Sequence, residues 1–328
     1  MAASQVGVTI ERLKKLEQEL VAKLSQEVIT GAQQKKVERF LKETGDTIDN
    51  HYEQLQLNFD FQGIGQYVAG EIHNDLTVAL GAEALKLPSQ SYFKSLNSDV
   101  MIMGAPSTAW WKGQSEDLKL KFAQQVRQGL SGAETNQQII SRIVGKAGEP
   151  GIMETARRNA AALVQTSVQA VANDARRNVF IANDDVIKGI KQVSTLDSHT
   201  SLICISYSGC EWDLEFKPIG MAKTRKPYNG GTPRHFNCRS LEIPITKTFE
   251  ELGLKGVKEA AATERASELG PIDANTSFDD FLKRRGQKYQ DEMLGAGRAE
   301  LWRDGKLTLR DLVNAKGRPL TLDELRSK

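Results

Sequence analysis

METARRNAAALVQTSVQAVANDARRNVFIANDDVIKGIKQV, residues 153–193, is the stretch on which the fold turns. Its first part sets Ala156, Ala160, Leu163, Val164, Val168, Val171, Ala175 and Val179 at steps of three and four, which predicts one helix from Met153 to about Ile181. So many alanines imply close approach of neighbouring helices. From Val186 to Val193 the pattern turns to alternation, the mark of a strand. A long helix thus runs into a β element.

Upstream, Gly148-Glu149-Pro150-Gly151 is a turn, preceded by a short helix around Thr135–Val144 with Ile139, Ile140 and Ile143 inward. Phe122, Val126 and Leu130 mark another helix, with Gly129 and Gly132 close to its end. Leu13, Leu16, Leu20, Leu24 and Val28 share one helical face, Gly31 marks a break, and Val37, Phe40 and Leu41 begin a second helix. Between 58 and 105, Gly63, Gly65, Gly70, Gly81 and Pro88 interrupt every pattern, leaving helical pieces around Gln66–Ala79 and loops elsewhere.

Downstream, residues 205–234 are rich in Gly, Pro, Lys and Tyr, which suits an extended loop or small hairpin, and Leu241–Ile245 alternates as a returning strand. A charged, alanine-rich stretch, Lys255–Leu269, leads to Pro271. Ser277 is placed to cap a helix carrying Phe278, Phe281, Leu282, Tyr289 and Met293. Gly295 and Gly297 interrupt it, a short helix at Arg298–Arg303 follows, and apolar clusters at Leu307–Leu312 and Leu320–Leu325 close the chain. The expected class is α+β, predominantly α-helical, with a small β element inserted around residues 186–245. Three regions follow: N-terminal helices (1–100), a middle domain (101–250) and a helical tail (251–328).

At 328 residues the chain is long enough to bury one large core or two medium ones. Its 39% apolar and 26% charged residues exclude wholesale disorder, and 44 basic against 42 acidic side chains exclude a general polyanion binder. No membrane-spanning segment and no secretory signal are visible, so a cytoplasmic origin with reduced cysteines is expected.

All three cysteines, Cys204, Cys210 and Cys238, lie with His235 inside residues 204–238. The His235-x2-Cys238 spacing suits a metal knuckle, and a Cys3His set would make a closed, structural Zn²⁺ site pinning a Gly-rich loop. Two other readings stay open: Cys204 and Cys238 as buried packing residues with His235 in a structural hydrogen bond, or a cysteine nucleophile with His235 as its base. No oxyanion-hole motif accompanies the second. Arg239 has a donor fork suited to a bidentate pair, for which Asp197 is the natural acceptor. Lys217, Lys223, Arg225, Lys226 and Arg234, with Tyr228 among them, make the 217–234 loop locally basic, the feature a zinc-stabilised nucleic-acid binder would use on DNA. His51 and His73 have no ligand partners nearby in sequence and read as ordinary core or surface residues. Trp110 and Trp111 suit either helix packing or a subunit contact.

Asp197-Ser198-His199-Thr200-Ser201-x2-Cys204, followed by Gly230-Gly231-Thr232-Pro233-Arg234-His235-Phe236-Asn237-Cys238-Arg239-Ser240, resembles the paired signature of phage Mu F-like head morphogenesis proteins. Ala161–Ser167 is similar to the helix that precedes it in that family. The resemblance runs from about Ala105 to Ile245 and is weaker over Met293-Leu294-Gly295 and Arg318–Leu322. It implies a structural motif of Asp197, Thr200, Cys204, His235, Cys238 and Arg239. It implies a minor head protein of a tailed bacteriophage, not an enzyme. Such a protein is assembled in the host cytoplasm, enters the head in few copies and oligomerises on the portal. Its partners are portal, capsid and scaffold proteins, and it accompanies DNA in packaging or ejection. Relatives fused to effector domains leave a toxin carrier or Cys/His hydrolase as the alternative. His199 and Gln165 stand where the family has arginine, and Cys210 falls outside its pattern, so Asp197 or His199 are the other candidates for a fourth ligand.

Overall fold

The alanine-rich run is a helix from Ile152 to Ala182, and the alternating run is a strand from Ile187 to Val193. In the computed structural model, residues 2–27, 34–81, 85–220, 226–253 and 264–327 are described. Val28, Gly31, Lys223, Arg225 and much of the 255–269 stretch lie outside them. In chain order the elements are α1 (Ala2–Gln26), α2 (Gln34–Leu57), α3 (Phe61–Leu80), α4 (Gln90–Asp99), β1 (Met101–Ile102), β2 (Ala105–Pro106), α5 (Ser107–Ser131) and α6 (Asn136–Val144). Next come β3 (Gly145–Lys146), β4 (Glu149–Pro150), α7 (Ile152–Ala182), β5 (Ile187–Val193), α8 (Leu202–Tyr207), β6 (Glu211–Asp213), β7 (Pro218–Ile219) and β8 (Leu241–Thr246). The last are β9 (Glu264–Arg265), β10 (Ile272–Asp273), α9 (Phe278–Lys283), α10 (Gln287–Leu294), α11 (Ala296–Arg303), a 3₁₀ turn (Leu309–Leu312) and α12 (Leu322–Arg326). Among the described residues helix accounts for 60% and strand for 11%, so the chain is a mostly helical α+β protein. Among the described residues no helix is long and apolar enough to cross a membrane.

Two compact units are formed, Met1–Gln62 with Ser95–Val168, and Gly63–Lys94 with Gln169–Lys328. They cut across the segments 1–100, 101–250 and 251–328, because apolar faces meet across those bounds. In the first unit Leu13, Leu16, Leu20 and Leu24 of α1 are fully buried, and α1 packs on α2 and α6 while α2 packs on α5. Phe40 meets Phe122 across α2 and α5 with ring centroids 6.3 Å apart. Asp49 of α2 accepts from Ser115 (2.6 Å) and Lys119 (2.7 Å) of α5. Trp111 is buried against Tyr52, and Trp110 donates from Nε1 to the Ile102 carbonyl at 2.6 Å, so both tryptophans serve this unit's own packing. Thr135 caps α6 in a capping box with Gln138.

The second unit is built on an antiparallel sheet of order β7-β6-β5-β8. Central β5 pairs with β8 from Val193↔Leu241 to Ile187↔Thr246, with an irregularity between Ile187 and Gly189. A side chain at Gly189 would sit 2.4 Å from the Trp212 carbonyl oxygen, so β6 can approach only a glycine. Two helices appear where loops are expected. Ser89 caps α4 by accepting from Tyr92 N at 3.2 Å, and Ser201 caps α8 by accepting from Cys204 N at 3.4 Å. The helix expected after Ser277 is two, α9 and α10, separated at Arg284–Gly286.

Candidate metal centre

Strand β5 delivers the chain into a loop that Asp197 organises. Its Oδ1 accepts from His199 N at 3.0 Å and lies 3.0 Å from the Thr200 hydroxyl, which in turn reaches the Thr195 carbonyl at 2.6 Å. Ser201 then starts α8 and sets Cys204 in its first turn. On the returning segment, Cys238 N bonds the His235 carbonyl at 3.1 Å and Asn237 takes a positive φ of 60°, so His235 and Cys238 turn to one side before β8 begins.

These two segments meet. Cys204 Sγ lies 3.2 Å from His235 Nε2 and 3.6 Å from Cys238 Sγ, and the three ligand atoms are all within 4.8 Å of one another. Both thiols are buried and the imidazole is half-buried. His235 Nδ1 sits 2.7 Å from the Phe236 carbonyl. That oxygen can only accept, so Nδ1 carries the proton and Nε2 keeps its lone pair toward the thiols. Cys204, His235 and Cys238 are therefore close enough to bind a metal ion. The Cys238 thiol donating to Cys204 lowers the Cys204 pKa to about 6 against burial, with Ser201, Ser240 and Arg234 assisting. The Cys238 thiol is pushed up by that same bond and by burial. A cleft of about 10 Å³, room for about one water, opens over Cys204 and His235, rimmed by His199, Ser201, Asn237 and Arg239.

Cys210 is not part of this cluster, which corrects its expected place as a ligand. Helix α8 separates the two cysteines, so Cys204 sits at its start and Cys210 beyond its end. The Cys210 thiol lies 3.9 Å from the Ser206 carbonyl and 3.1 Å from Arg310 Nη1, and burial raises its pKa. Asp197 is held by Arg239, with Nη1 to Oδ2 at 2.6 Å and Nη2 to Oδ1 at 2.7 Å. Burial alone would raise the Asp197 pKa, yet Arg239 and Thr200 bring it below the usual value. His199 is exposed on the cleft rim. His51 pairs with Glu19 at 3.2 Å and His73 with the Leu85 carbonyl at 3.0 Å, and neither belongs to the ligand cluster.

Among the described cations of the 217–234 loop, Lys226 and Arg234 are turned to internal work. Lys226 is buried with Nζ 3.3 Å from the Val313 carbonyl. Arg234 lies 3.6 Å over the Tyr207 ring and bonds Gln192 Oε1 at 2.6 Å. Lys217 is exposed and pairs with Glu215 at 2.5 Å.

Several supporting residues escaped the sequence reading. Buried Glu242 accepts from Arg177 (3.1 Å), Tyr228 (3.0 Å) and the Thr232 amide (2.7 Å), fixing the loop that carries His235. Arg265 donates to the Ser194 carbonyl at 2.5 Å, Glu268 accepts from Ser198 N at 3.2 Å, and Arg310 donates to the Ser206 carbonyl at 2.6 Å. The C-terminal region thus braces both ends of the Cys204 segment. None of these had a local signal, because each partner lies far away along the chain. No family model, curated protein or solved structure matches the chain.

Proposed function

We propose that this chain is a minor head protein of a tailed bacteriophage, with a structural and assembly role at the portal and inside the head, and that the ion its three ligands take is Zn²⁺. One observation carries the reading. The two segments that resemble the Mu F-like signature, 42 residues apart at Asp197 and Arg239, fold onto each other as one unit, joined by that ion pair and by the Cys204–His235–Cys238 cluster. A paired signature whose halves form a single cross-link is what a structural role requires.

The donors suit zinc, since two soft sulfurs and an imidazole whose Nδ1 proton is committed to the Phe236 carbonyl are its preferred set. When bound, the metal would supply a non-redox tie across a loop with little core of its own. In that arrangement Cys204 and Cys238 hold the ion, His235 orients through Phe236, and Arg239 keeps the Asp197 loop against the site. Catalysis by Cys204 with His235 is the competing reading, favoured by their 3.2 Å contact. The second thiol at 3.6 Å and a cleft of only about 10 Å³ argue for the structural tie instead. A DNA-binding loop loses support from the inward turn of Lys226 and Arg234.

Particles purified from cells that produce the chain and its phage test the proposal. The chain is expected in DNA-filled heads at few copies relative to the major capsid protein, retained when tails are removed and bound to isolated portal. Particles that lack it, with all of it in the soluble lysate, would sink the reading.

A further inference from the structure

A metal held by Cys204, His235 and Cys238 has a fourth position to fill, and the three other candidates differ sharply in what their side chains are doing. Cys210 is committed to the far side of α8, its thiol against Ser206 and Arg310. Asp197 has both oxygens committed, to Arg239 at 2.6 and 2.7 Å and to the His199 amide and Thr200. Recruiting it would strand Arg239. His199 is different. Its backbone is fixed by Asp197, its side chain is exposed on the rim of the same cleft that Cys204 and His235 line, and its ring has no hydrogen-bond partner among the described residues.

Resting on the zinc reading above, we infer that His199 is the fourth ligand, closing a Cys2His2 site from the solvent side of the cleft. The two thiols and His235 form the inner part of the site, and the His199 ring turns in over it when the ion arrives. The loop backbone is already anchored at Asp197, Thr200 and the Ser201 cap, so little further ordering is needed to bring the ring over the site. The site is then closed to substrate and to exchange with bulk water, as a structural site must be. Nothing else on the rim offers an unengaged imidazole, thiol or carboxylate: Ser201 already bonds His235 at 2.8 Å, and Arg239 is a cation.

The full-length protein, its His199→Ala and His199→Cys variants and a Cys210→Ser control would be loaded with Zn²⁺ alone. Metal content by mass spectrometry, affinity by competition with a chromophoric chelator, and the absorption spectrum of the Co²⁺ form would be read for each. The expected result is about one zinc per chain in the parent and in Cys210→Ser. His199→Ala is expected to weaken binding at least tenfold, about the loss or more that follows from removing even an outer partner of a metal ligand. Its Co²⁺ spectrum should lose the tetrahedral signature, and His199→Cys should restore both. His199 is exposed, and circular dichroism should show all variants folded. Unchanged affinity and spectrum in His199→Ala would overturn the assignment while leaving zinc in place. Loss of metal in Cys210→Ser would overturn it in favour of that cysteine. A parent that takes up no zinc would overturn the metal reading as a whole.

Discussion

Arg239 reaches back 42 residues to hold Asp197 by both guanidinium arms, and Asp197 uses the same carboxylate to hold His199 N and Thr200. The two residues are therefore unequal partners. Replacing Arg239 by alanine leaves the loop's internal bonds intact and should cost about 1 kcal/mol, since the arginine is half exposed. Asp197→Ala removes the loop's organiser as well and should cost about 2–3 kcal/mol. Urea unfolding measures both. Equal losses would mean that the ion pair, and not the turn, is what Asp197 contributes.

Glu242 gives the largest expected effect. Its carboxylate is almost fully buried and serves Arg177, Tyr228 and Thr232 together, while burial and that carboxylate keep the Tyr228 phenol well above its ordinary pKa. Glu242→Leu takes away the buried carboxylate that Arg177, Tyr228 and Thr232 share, leaving Arg177 with Asp174 alone (3.1 Å), and should destabilise by about 3 kcal/mol. Gly231 has φ +71°, and a β-carbon there would lie 2.2 Å from the Tyr228 hydroxyl and 2.3 Å from Glu242. Gly231→Ala breaks the same network, so the double variant should lose clearly less than the sum of the singles. Strict additivity in denaturant midpoints would contradict a shared network.

Metal removal should act like a mutation at either thiol. Chelation of the zinc-loaded protein is expected to lower Tm by the linkage stabilisation, about 2.7 kcal/mol at a hundredfold excess over Kd. Cys238→Ser should show that lower Tm with or without added zinc. Scanning calorimetry of the two forms is sufficient. A chelator that leaves Tm unmoved would return Cys204 and Cys238 to packing roles.

A pH dependence is expected in the first unit. Burial would raise the Asp49 pKa, but Lys119 and Ser115 bring it below its ordinary value. A carboxylate depressed on folding contributes stability above its unfolded pKa, about 3.9, and loses that contribution as pH falls through the lower folded value. Asp49→Asn should therefore be less stable than the parent at pH 7, by about 1 kcal/mol given partial exposure, and indistinguishable from it near pH 2. A gap that persists in acid would assign the effect to packing instead.

Much of this architecture can be read from spacing. The leucine ladder of α1, the Thr135 and Ser277 caps and the switch from helical period to alternation after Ile181 are local signals, and each has its counterpart in the structure. Helices α4 and α8 were hidden because ten and six residues leave room for few apolar positions, and their serine caps resemble loop residues. Cysteine spacing grouped Cys210 with the others because it carries no information about the helical turn between 204 and 210. The Glu242 network was invisible for a different reason. Arg177 and Glu242 are 65 residues apart, and only the folded sheet brings them within 3.1 Å.

The brace from Arg310 to Ser206 spans 104 residues of chain, and that from Arg265 to Ser194 spans 71. A ribosome releases Cys204, His235 and Cys238 well before Arg310. At about 5–20 residues per second the interval is roughly 4–14 seconds. During that time the nascent thiols are present but Arg310, the later of the two arms, is still unsynthesised. Order of emergence thus gives the thiols their opportunity to capture an ion first, and the closing contacts arrive afterward as a latch.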